Sequence, residues 1–273
     1  MTLFSKKNVL ITGASSGIGE ALAYEFAALG ANLILLARRG ERLDLIKDQI
    51  NRKYPDQKII AYRVDVCLDK PLKQAIEESI EVLGPLDVVV ANAGFSVAGN
   101  VLDLSLEDYR RQFETNLFGV LRTVKESVPS LKTTQGRLAV VGSVNGYVAL
   151  PGISAYAMSK FSIRALCDSL HHELLPLGIS VTHIVPGFVV SEIRRVNNRG
   201  ELRDLAQDPI PLWLQMEASV AARKIAKAIY QRQRERVVTG HGWWIVRLYR
   251  LFPGLIFLLV RAFKIKARSE PSL

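Results

Sequence analysis

The hydrophobic positions of the chain fall into short apolar runs that alternate with longer amphipathic stretches. The short runs are rich in Val, Ile and Leu with little polar alternation, which is typical of strands covered on both faces. The predicted strands are Val9–Ile11, Asn32–Ala37, Lys58–Val64, Leu86–Val90, Arg137–Val141 and Ile179–Val185, with a last edge strand at Arg236–Thr239. The predicted helices are Glu20–Leu29, Glu41–Arg52, Lys70–Val82, Leu106–Leu131 and Ala155–Leu175.

This order predicts an α/β fold, a doubly wound parallel sheet, because helical crossovers of about a dozen residues join parallel strands. The chain has 273 residues, 49% of them hydrophobic, which is enough for one large domain. We assign residues 1–240 to that domain. Within it, residues 189–216 lack a clear sheet pattern and are predicted to form a substrate lid. Residues 241–273 form a basic, apolar C-terminal tail.

A glycine-rich turn follows the first strand. Glycines let the backbone turn sharply and approach a pyrophosphate, and the next helix offers unpaired N–H groups and the positive end of its dipole. Because the turn lies between strand one and helix one, we interpret it as a dinucleotide site rather than an ordinary turn. The residues assigned to it are Gly13, Ser15, Ser16, Gly17, Ile18 and Gly19.

The Gly-x-x-x-Gly-x-Gly spacing resembles that of the short-chain dehydrogenase/reductase family. Further motifs extend the likeness from about Val9 to about Ser191: Asp65-Val66, Asn92-Ala93-Gly94, Asn116, Ser143, Tyr156-x-x-x-Lys160 and Pro186-Gly187. Ala91 departs from the pattern, since the family has Asn there. The resemblance implies a Rossmann fold and a nicotinamide-dependent oxidoreductase. It also implies cofactor contacts at Asp65, Val66, Asn92, Ala93, Gly94, Tyr156, Lys160, Pro186, Gly187, Val189 and Ser191.

The residues after the second strand bear on the choice of cofactor. About 20 residues beyond the glycine turn, NAD-binding folds place an acidic residue against the ribose 2′-hydroxyl. Here the strand ends at Ala37, and Arg38 and Arg39 follow. Guanidinium groups pair with phosphate, so these arginines predict NADP(H). The alternative is a solvated basic turn.

Tyr156 and Lys160 are four residues apart and share one helix face. A free tyrosine has a pKa of about 10, and a nearby ammonium lowers it, so Tyr156 is the predicted general acid and base. Ser143 is expected to orient the substrate oxygen. The resemblance adds that Lys160 holds the ribose and that Asn116 holds a water linking Lys160 to solvent. Each of these residues alone is usually structural.

Apolar residues near these motifs predict a substrate pocket that suits a lipid-like ketone or secondary alcohol. They are Phe95, Ser96, Val97, Val144, Leu150, Ile153, Phe188 and Val189, with Trp213, Leu214 and Met216 as a cover from the lid. A generic core has the same composition. Two alternatives to the reductase are a catalytically silent NADP(H)-binding sensor or scaffold and a sugar-nucleotide epimerase or dehydratase. The epimerase branch uses a different glycine spacing and a larger C-terminal domain.

The net charge of +10 is concentrated near the C-terminus. Residues 223–268 hold 12 basic residues and one acidic residue, so the body is nearly neutral and a nucleic-acid groove is disfavoured. The longest uncharged run of the tail, Leu251 to Val260, has ten residues, whereas a spanning helix needs about 20. We expect two short helices hinged at Pro253-Gly254 that lie on a membrane. The alternative is packing on the body or on a second subunit.

Two cysteines, Cys67 and Cys167, predict reduced thiols in a chain of this length, and the first seven residues lack the apolar run of a signal peptide. We therefore expect a cytoplasmic protein, with the inner face of a membrane as the attachment site if the tail binds lipid. No metal site is predicted, and His241 is expected in a loop. The resemblance implies a homo-dimer or homo-tetramer paired through the two long helices.

Overall fold

The computed structural model describes residues 3–203 and 207–262. The strands within these ranges are β1 (Asn8–Thr12), β2 (Asn32–Ala37), β3 (Ile59–Arg63), β4 (Val88–Ala91), β5 (Arg137–Val141), β6 (Ser180–Val185) and β7 (Glu235–Val237). All pair in parallel, in the order β3-β2-β1-β4-β5-β6-β7. The predicted doubly wound parallel sheet is confirmed, and β7 is the predicted edge strand.

Helices cover both faces of the sheet. They are α1 (Gly17–Ala28), α2 (Gly40–Lys53), α3 (Asp69–Leu83), α4 (Leu106–Phe113), α5 (Gly119–Thr134), α6 (Ser154–Leu174), α7 (Ala218–Tyr230), α8 (Gly240–Leu251) and α9 (Pro253–Ala262). Val9 of β1 packs in one apolar cluster with Phe26 of α1, and the next residue, Leu10, packs in another with Ile76 of α3. Successive side chains thus enter opposite layers, which explains the continuous apolar runs of the strands.

Two predicted helices differ from those observed by more than one residue at one end. Helix α1 begins at Gly17, three residues before the predicted start at Glu20, so the end of the glycine motif forms the first helical turn. The predicted helix Leu106–Leu131 is divided by a π-helical segment, Glu114–Phe118, and continues to Thr134. A π-helical segment inserts one residue without ending the helix, and the apolar periodicity therefore does not reveal it.

The predicted lid forms a loop closed at its base. Val189 pairs with Met216 in an isolated bridge, and two short 3₁₀ turns, Glu192–Arg194 and Leu212–Leu214, lie between them. Asn198 fastens its middle part to the body, because its side chain accepts from Ala98 N and donates to Ala98 O, both at 2.9 Å. Residues 204–206 of the lid lie outside the described part.

The first half of the tail packs on the body, which is the alternative to membrane contact given above for this segment. Val246 of α8 is buried in a cluster with Val144, Tyr147 and Val185. Helix α8 ends before Phe252, because the residue that precedes a proline disfavours helical torsions, and α9 begins at Pro253. The two predicted short helices are therefore present. Residues 263–273, with Lys264, Lys266 and Arg268, lie outside the described residues.

Candidate active site

The glycine-rich turn lies at the point where the strand order reverses, between β1 and β4. Open α/β sheets bind ligands at the carboxyl ends of their strands at such a point. Gly13 has a φ of +66°, and a Cβ there would lie 2.8 Å from Ala93 Cα of the β4 turn. A Cβ on Gly19 would collide with Gly13 O. The two turns therefore approach as closely as they do because these positions carry no side chain.

The first turn of α1 has the features of an anion site. Ser16 precedes it in an extended conformation, and within the described structure its side chain makes no capping hydrogen bond to the helix. The N–H groups of that turn have no partner inside the helix, and the dipole adds partial positive charge there. Ser15 is buried beside it, and Ile18 packs against the apolar core. The predicted residues of this turn are thus adjacent, at the N-terminus of α1.

Thr12 and Asn92 connect the turns after β1 and β4. Asn92 Nδ2 donates to Thr12 O at 2.9 Å and to Gly13 O at 3.2 Å. The N–H groups of Asn92 and Ala93 donate to Thr12 Oγ1 at 3.0 and 3.1 Å. Ala91, where the family has Asn, is buried in an apolar cluster. Alanine at position 91 therefore leaves the hydrogen bonds between Thr12 and the Asn92–Ala93 turn intact.

Arg38 and Arg39 emerge after β2 and both contact the lid. Arg38 Nη2 donates to Gly200 O at 3.0 Å. Arg39 Nη2 lies 2.7 Å from Glu192 Oε2, and its Nε donates to Ser15 Oγ at 3.3 Å. The contact with Ser15 places Arg39 beside the glycine turn. Sequence reasoning did not identify Glu192 and Gly200 as partners, since they lie more than 150 residues away.

Asp65 and Val66 follow β3. Asp65 Oδ1 accepts a hydrogen bond from Cys67 N at 2.9 Å, which fixes the turn, and Val66 is buried. A Cβ on Gly119 of α5 would lie 2.7 Å from Val66 Cγ2. Burial raises the pKa of the Cys67 thiol to about 11, consistent with an unreactive cysteine.

Tyr156 and Lys160 project from the first turns of α6 into the interior, where both side chains are buried. Lys160 Nζ lies 5.8 Å from the centroid of the Tyr156 ring and donates to Val141 O of β5 at 2.8 Å. Burial lowers the pKa of Lys160 to about 8. The amine therefore still carries its charge at neutral pH, close to the phenol ring.

Asn116 lies within the π-helical segment and is fully buried. Its Oδ1 accepts from Phe95 N at 3.0 Å, and its Nδ2 donates to Phe95 O at 3.0 Å and to Ser159 Oγ at 3.2 Å. A Cβ on Gly94 would lie 3.0 Å from Asn116 Oδ1 and 3.8 Å from Lys160 Nζ. Gly94, Asn116 and Lys160 are thus grouped together. Ser159 links Asn116 to α6.

Ser143 lies two residues after β5, directly before a short 3₁₀ turn, Val144–Gly146. Its Oγ accepts a hydrogen bond from Asn145 N at 3.1 Å, and the side chain is almost fully buried. A Cβ on Gly146 would lie 2.7 Å from Lys160 O, so this turn packs directly against α6. The structure therefore brings the Ser143 turn and the Tyr156–Lys160 pair to the same edge of the sheet.

The turn after β6 contains Pro186 and Gly187. Val144 N donates to Pro186 O at 2.9 Å, which joins this turn to the one after Ser143. Four residues beyond Gly187, Ser191 lies against the glycine motif, since a Cβ on Gly17 would be 3.0 Å from Ser191 Cβ. Residues 186–191 therefore connect the Ser143 turn to the start of α1.

His241 is a residue whose contacts the sequence did not predict. It lies in the first turn of α8, not in a loop, and its Nε2 accepts from Phe188 N at 3.1 Å. The two rings stack at 5.3 Å. Burial lowers the pKa of His241.

The predicted pocket residues divide into two groups. Val97 and Val189 belong to buried apolar clusters, as in the alternative of a generic core given above. Met216 packs on the same core as Val189. Trp213 is 83% exposed, which does not fit the predicted role as a cover. Leu150 and Phe188 are partly exposed near the Ser143 turn.

A sequence profile of the family described as short chain dehydrogenase matches residues 7–202. The chain is a short-chain dehydrogenase/reductase. As a member of that family it is an oxidoreductase, and both the predicted family and the predicted fold are confirmed.

Relatives of this short-chain dehydrogenase/reductase include two plant proteins. "11-beta-hydroxysteroid dehydrogenase A" of Sesamum indicum is 32% identical, over 99% of this chain and 80% of its own length. "11-beta-hydroxysteroid dehydrogenase-like 4A" of Arabidopsis thaliana is 37% identical, over 82% of this chain and 72% of its own length.

Two solved structures are also similar. An alcohol dehydrogenase from Thermococcus sibiricus, complexed with 5-hydroxy-NADP, is 28% identical with a TM-score of 0.73, covering 85% of this chain and 95% of its own. A short-chain dehydrogenase/reductase from Burkholderia phymatum, in complex with NAD, covers 100% of both chains with a TM-score of 0.81. At 23% identity, the second likeness shows the fold alone.

Proposed function

We propose that this enzyme is an NADP(H)-dependent oxidoreductase that interconverts a ketone and a secondary alcohol on an apolar, lipid-like substrate. The observation that carries the proposal is the buried Tyr156–Lys160 pair on α6, beside the Ser143 turn. A buried, charged lysine near a phenol favours the phenolate, which makes the tyrosine able to give and take a proton near neutral pH.

Each polar group has a distinct role in this mechanism. Tyr156 donates its proton to the carbonyl oxygen during reduction and accepts the alcohol proton during oxidation. Ser143 Oγ accepts from Asn145 N with a lone pair, so its O–H is suited to donate to the substrate oxygen. Asn116 fixes the Phe95 backbone and α6 around Lys160. When bound, the reduced nicotinamide supplies the hydride.

The residues around the switch point fit a dinucleotide. In the described part of the chain, the first turn of α1 has no side-chain cap and Gly13 has no side chain, so a pyrophosphate fits between them. Asn92 and Gly94 lie in the adjacent turn, which follows β4. Arg38 and Arg39 suit a 2′-phosphate, with Ala37 where a carboxylate would repel it. The Thermococcus sibiricus relative, complexed with 5-hydroxy-NADP, supports the same choice. We therefore favour NADP(H) over NAD(H).

The substrate class rests on two lines of support. Plant relatives carry names of hydroxysteroid dehydrogenases. In this chain, apolar side chains such as Leu150 and Phe188 lie near the Ser143 turn, where a ketone has to sit. We propose a small, apolar carbonyl compound or its alcohol as the substrate.

The test is turnover by purified wild type and by Tyr156→Phe. NADPH oxidation is followed with a panel of steroid and long-chain ketones, and NADP⁺ reduction with the matching alcohols. We expect turnover by wild type and a loss of at least about 10²-fold in Tyr156→Phe, with little change in the NADPH Kd. Tyr230→Phe, an exposed hydroxyl at the end of α7, is the matched control. Equal rates in Tyr156→Phe and wild type contradict the mechanism; NADPH binding without turnover on any substrate favours the silent sensor or scaffold.

We propose that the enzyme pairs with a second copy through its long helices, as a homo-dimer or homo-tetramer. Exposed apolar side chains on α6 and at the π-helical segment support this: Phe118, Met158 and Phe161. Sedimentation of wild type and Phe161→Glu tests it, since a charge placed in the interface should shift the protein to monomer.

We also propose a cytoplasmic location with peripheral attachment to a membrane through α9. Within the described residues, no helix combines the length and apolar character needed to cross a bilayer. Leu255 and Leu258 are exposed on one face of α9, next to exposed Leu251 and Phe252. Arg261 follows them, so an apolar face is combined with positive charge, as on helices that lie at anionic lipid surfaces.

A further inference from the structure

Helix α8 lies beyond the residues matched by the family profile, yet it packs across the two turns that follow β5 and β6. Val246 is buried against Val144 and Val185, and a Cβ on Gly242 would lie 2.9 Å from Val144 Cγ2. At its far end, Arg250 Nη2 binds Glu235 Oε2 at 2.9 Å. Helix α8 is therefore fixed at both ends and in the middle.

At the beginning of α8, His241 holds the peptide between Gly187 and Phe188. Its Nε2 accepts from Phe188 N at 3.1 Å, which requires that this nitrogen be unprotonated and the other carry the hydrogen. The ring also stacks on Phe188, with an interplanar angle of 26°. A Cβ on Gly187 would lie 2.5 Å from His241 Nε2, so the imidazole touches the turn at two successive residues.

The position of this turn indicates which part of a bound cofactor it would contact. Pro186 O binds Val144 N, next to Ser143, whereas Ser191 lies against Gly17. A dinucleotide with its pyrophosphate at α1 and its reacting end at Tyr156 would follow residues 186–191, which connect these two places. Pro186–Phe188 would then hold the nicotinamide end, and Arg38, farther from α8, would hold the adenosine end.

We propose that His241 is a positioning residue that holds the Pro186–Phe188 turn in the conformation that receives the nicotinamide half of the cofactor. The inference rests on the proposed function. Without the imidazole, Phe188 N–H loses its acceptor, and the turn loses the stacked ring that limits its motion. We assign the adenosine half to the α1 turn, Arg38 and Arg39. Its affinity should therefore not depend on His241.

The experiment compares binding of NADPH with binding of adenosine 2′,5′-bisphosphate, which has the adenosine end and lacks the nicotinamide. Both are titrated calorimetrically against wild type, His241→Phe and His241→Gln. Phe keeps a ring for stacking and removes the acceptor, whereas Gln places a carbonyl oxygen near the position of Nε2. His172→Phe, an exposed histidine on α6, is the matched control. If His241→Phe does not fold, His241→Asn, too short to reach Phe188 N, gives the same contrast.

We expect His241→Phe to weaken NADPH binding roughly tenfold, the loss of about one good hydrogen bond, and to leave the fragment unchanged. His241→Gln should recover most of the affinity, and kcat should fall less than KM for NADPH rises. If NADPH binds His241→Phe as well as wild type, the inference is wrong and the proposed function stands. Equal weakening of NADPH and the fragment also overturns it, because the effect is then general. If wild type binds neither, both proposals fail.

Discussion

Arg39 Nη2 lies 2.7 Å from Glu192 Oε2, so an ion pair joins the turn after β2 to the lid. Arg38 makes a second contact with the lid, a hydrogen bond to Gly200 O at 3.0 Å. The two guanidinium groups that we assign to the 2′-phosphate thus also fasten the lid at two points. A phosphate that binds them competes with a lid carboxylate for at least one of them.

Glu192→Gln is therefore expected to strengthen NADPH binding. The substitution removes a negative charge that repels the 2′-phosphate and frees Arg39 from a partly exposed ion pair, which is worth up to about 1 kcal/mol. We expect the NADPH Kd to fall roughly twofold to fivefold and the NADH Kd to change less. Titrations at low and high salt check this, with Glu217→Gln as the control for an exposed carboxylate. A weaker NADPH affinity in Glu192→Gln would show that the carboxylate supports the site.

Arg38→Asp is expected to abolish or reverse the preference for NADPH. Charge-assisted contacts to phosphate contribute about 1.5–3 kcal/mol each, so wild type should prefer NADPH over NADH roughly tenfold or more. An aspartate there repels the phosphate and can accept from the ribose 2′-hydroxyl instead. The measurement is kcat/KM for both cofactors. Arg52→Asp, an exposed change of the same charge at the end of α2, should keep the wild-type preference. Equal use of both cofactors by wild type rejects the assignment.

The sequence predicted the sheet almost residue by residue because strands buried on both faces have no polar interruptions. Asn32–Ala37 and Arg137–Val141 have the predicted bounds. The site was predicted as an ordered set of motifs, and its placement at one edge follows from the parallel topology. Periodicity could not predict the π-helical segment that carries Asn116, because the helix continues through it.

Contacts between segments far apart in the chain could not be predicted from the sequence either. Trp213 was expected to cover a pocket from the lid, yet its side chain is exposed to solvent. His241 was assigned to a loop, whereas it lies in the first turn of α8 between Gly240 and Gly242. Thr239 Oγ1 accepts from Gly242 N and caps α8, so the threonine before the glycines was the available indication of a helix start.

Lys160 should make the free energy of unfolding depend on pH, and comparison with Lys160→Met should isolate its contribution. Burial lowers the pKa of Lys160 to about 8, whereas a free lysine has a pKa of about 10.4. Between these values the unfolded state binds more protons, so the contribution of Lys160 to the free energy of unfolding rises with pH. That contribution is complete above about 10.4 and is lost as the pH falls through about 8.

Relative to Lys160→Met, wild type should therefore gain roughly 2–3 kcal/mol in the free energy of unfolding between about pH 7 and pH 10.5. Urea unfolding at both pH values measures the gain. Lys125→Met, at an exposed position on α5, should show no comparable change relative to wild type. A constant difference between wild type and Lys160→Met at the two pH values would mean that the lysine titrates normally in the folded protein.

The last prediction concerns attachment of α9 to anionic membranes, and the structure determines where the chain must be cut to test it. A cut after Gly242 would remove Val246 and Arg250, which anchor α8 to the Tyr147 cluster, and would expose that core. A chain that ends at Phe252 keeps these anchors and removes only α9 and the residues after it. That truncation should fold, retain NADPH binding and serve as the comparison.

Flotation with phosphatidylcholine vesicles containing phosphatidylserine should carry full-length protein to the lipid fraction, and the shortened chain should stay behind. Basic residues near an anionic surface contribute about 1 kcal/mol each, so flotation should weaken at high salt and in Arg261→Glu. Leu258→Ser should weaken it in a salt-independent manner, because it removes apolar area from the exposed face of α9. If full-length protein stays in the soluble fraction at low salt, membrane attachment is rejected. The exposed leucines of α9 would then be assigned to packing on a second subunit, which sedimentation of the full-length and shortened chains would show as a difference in oligomeric state.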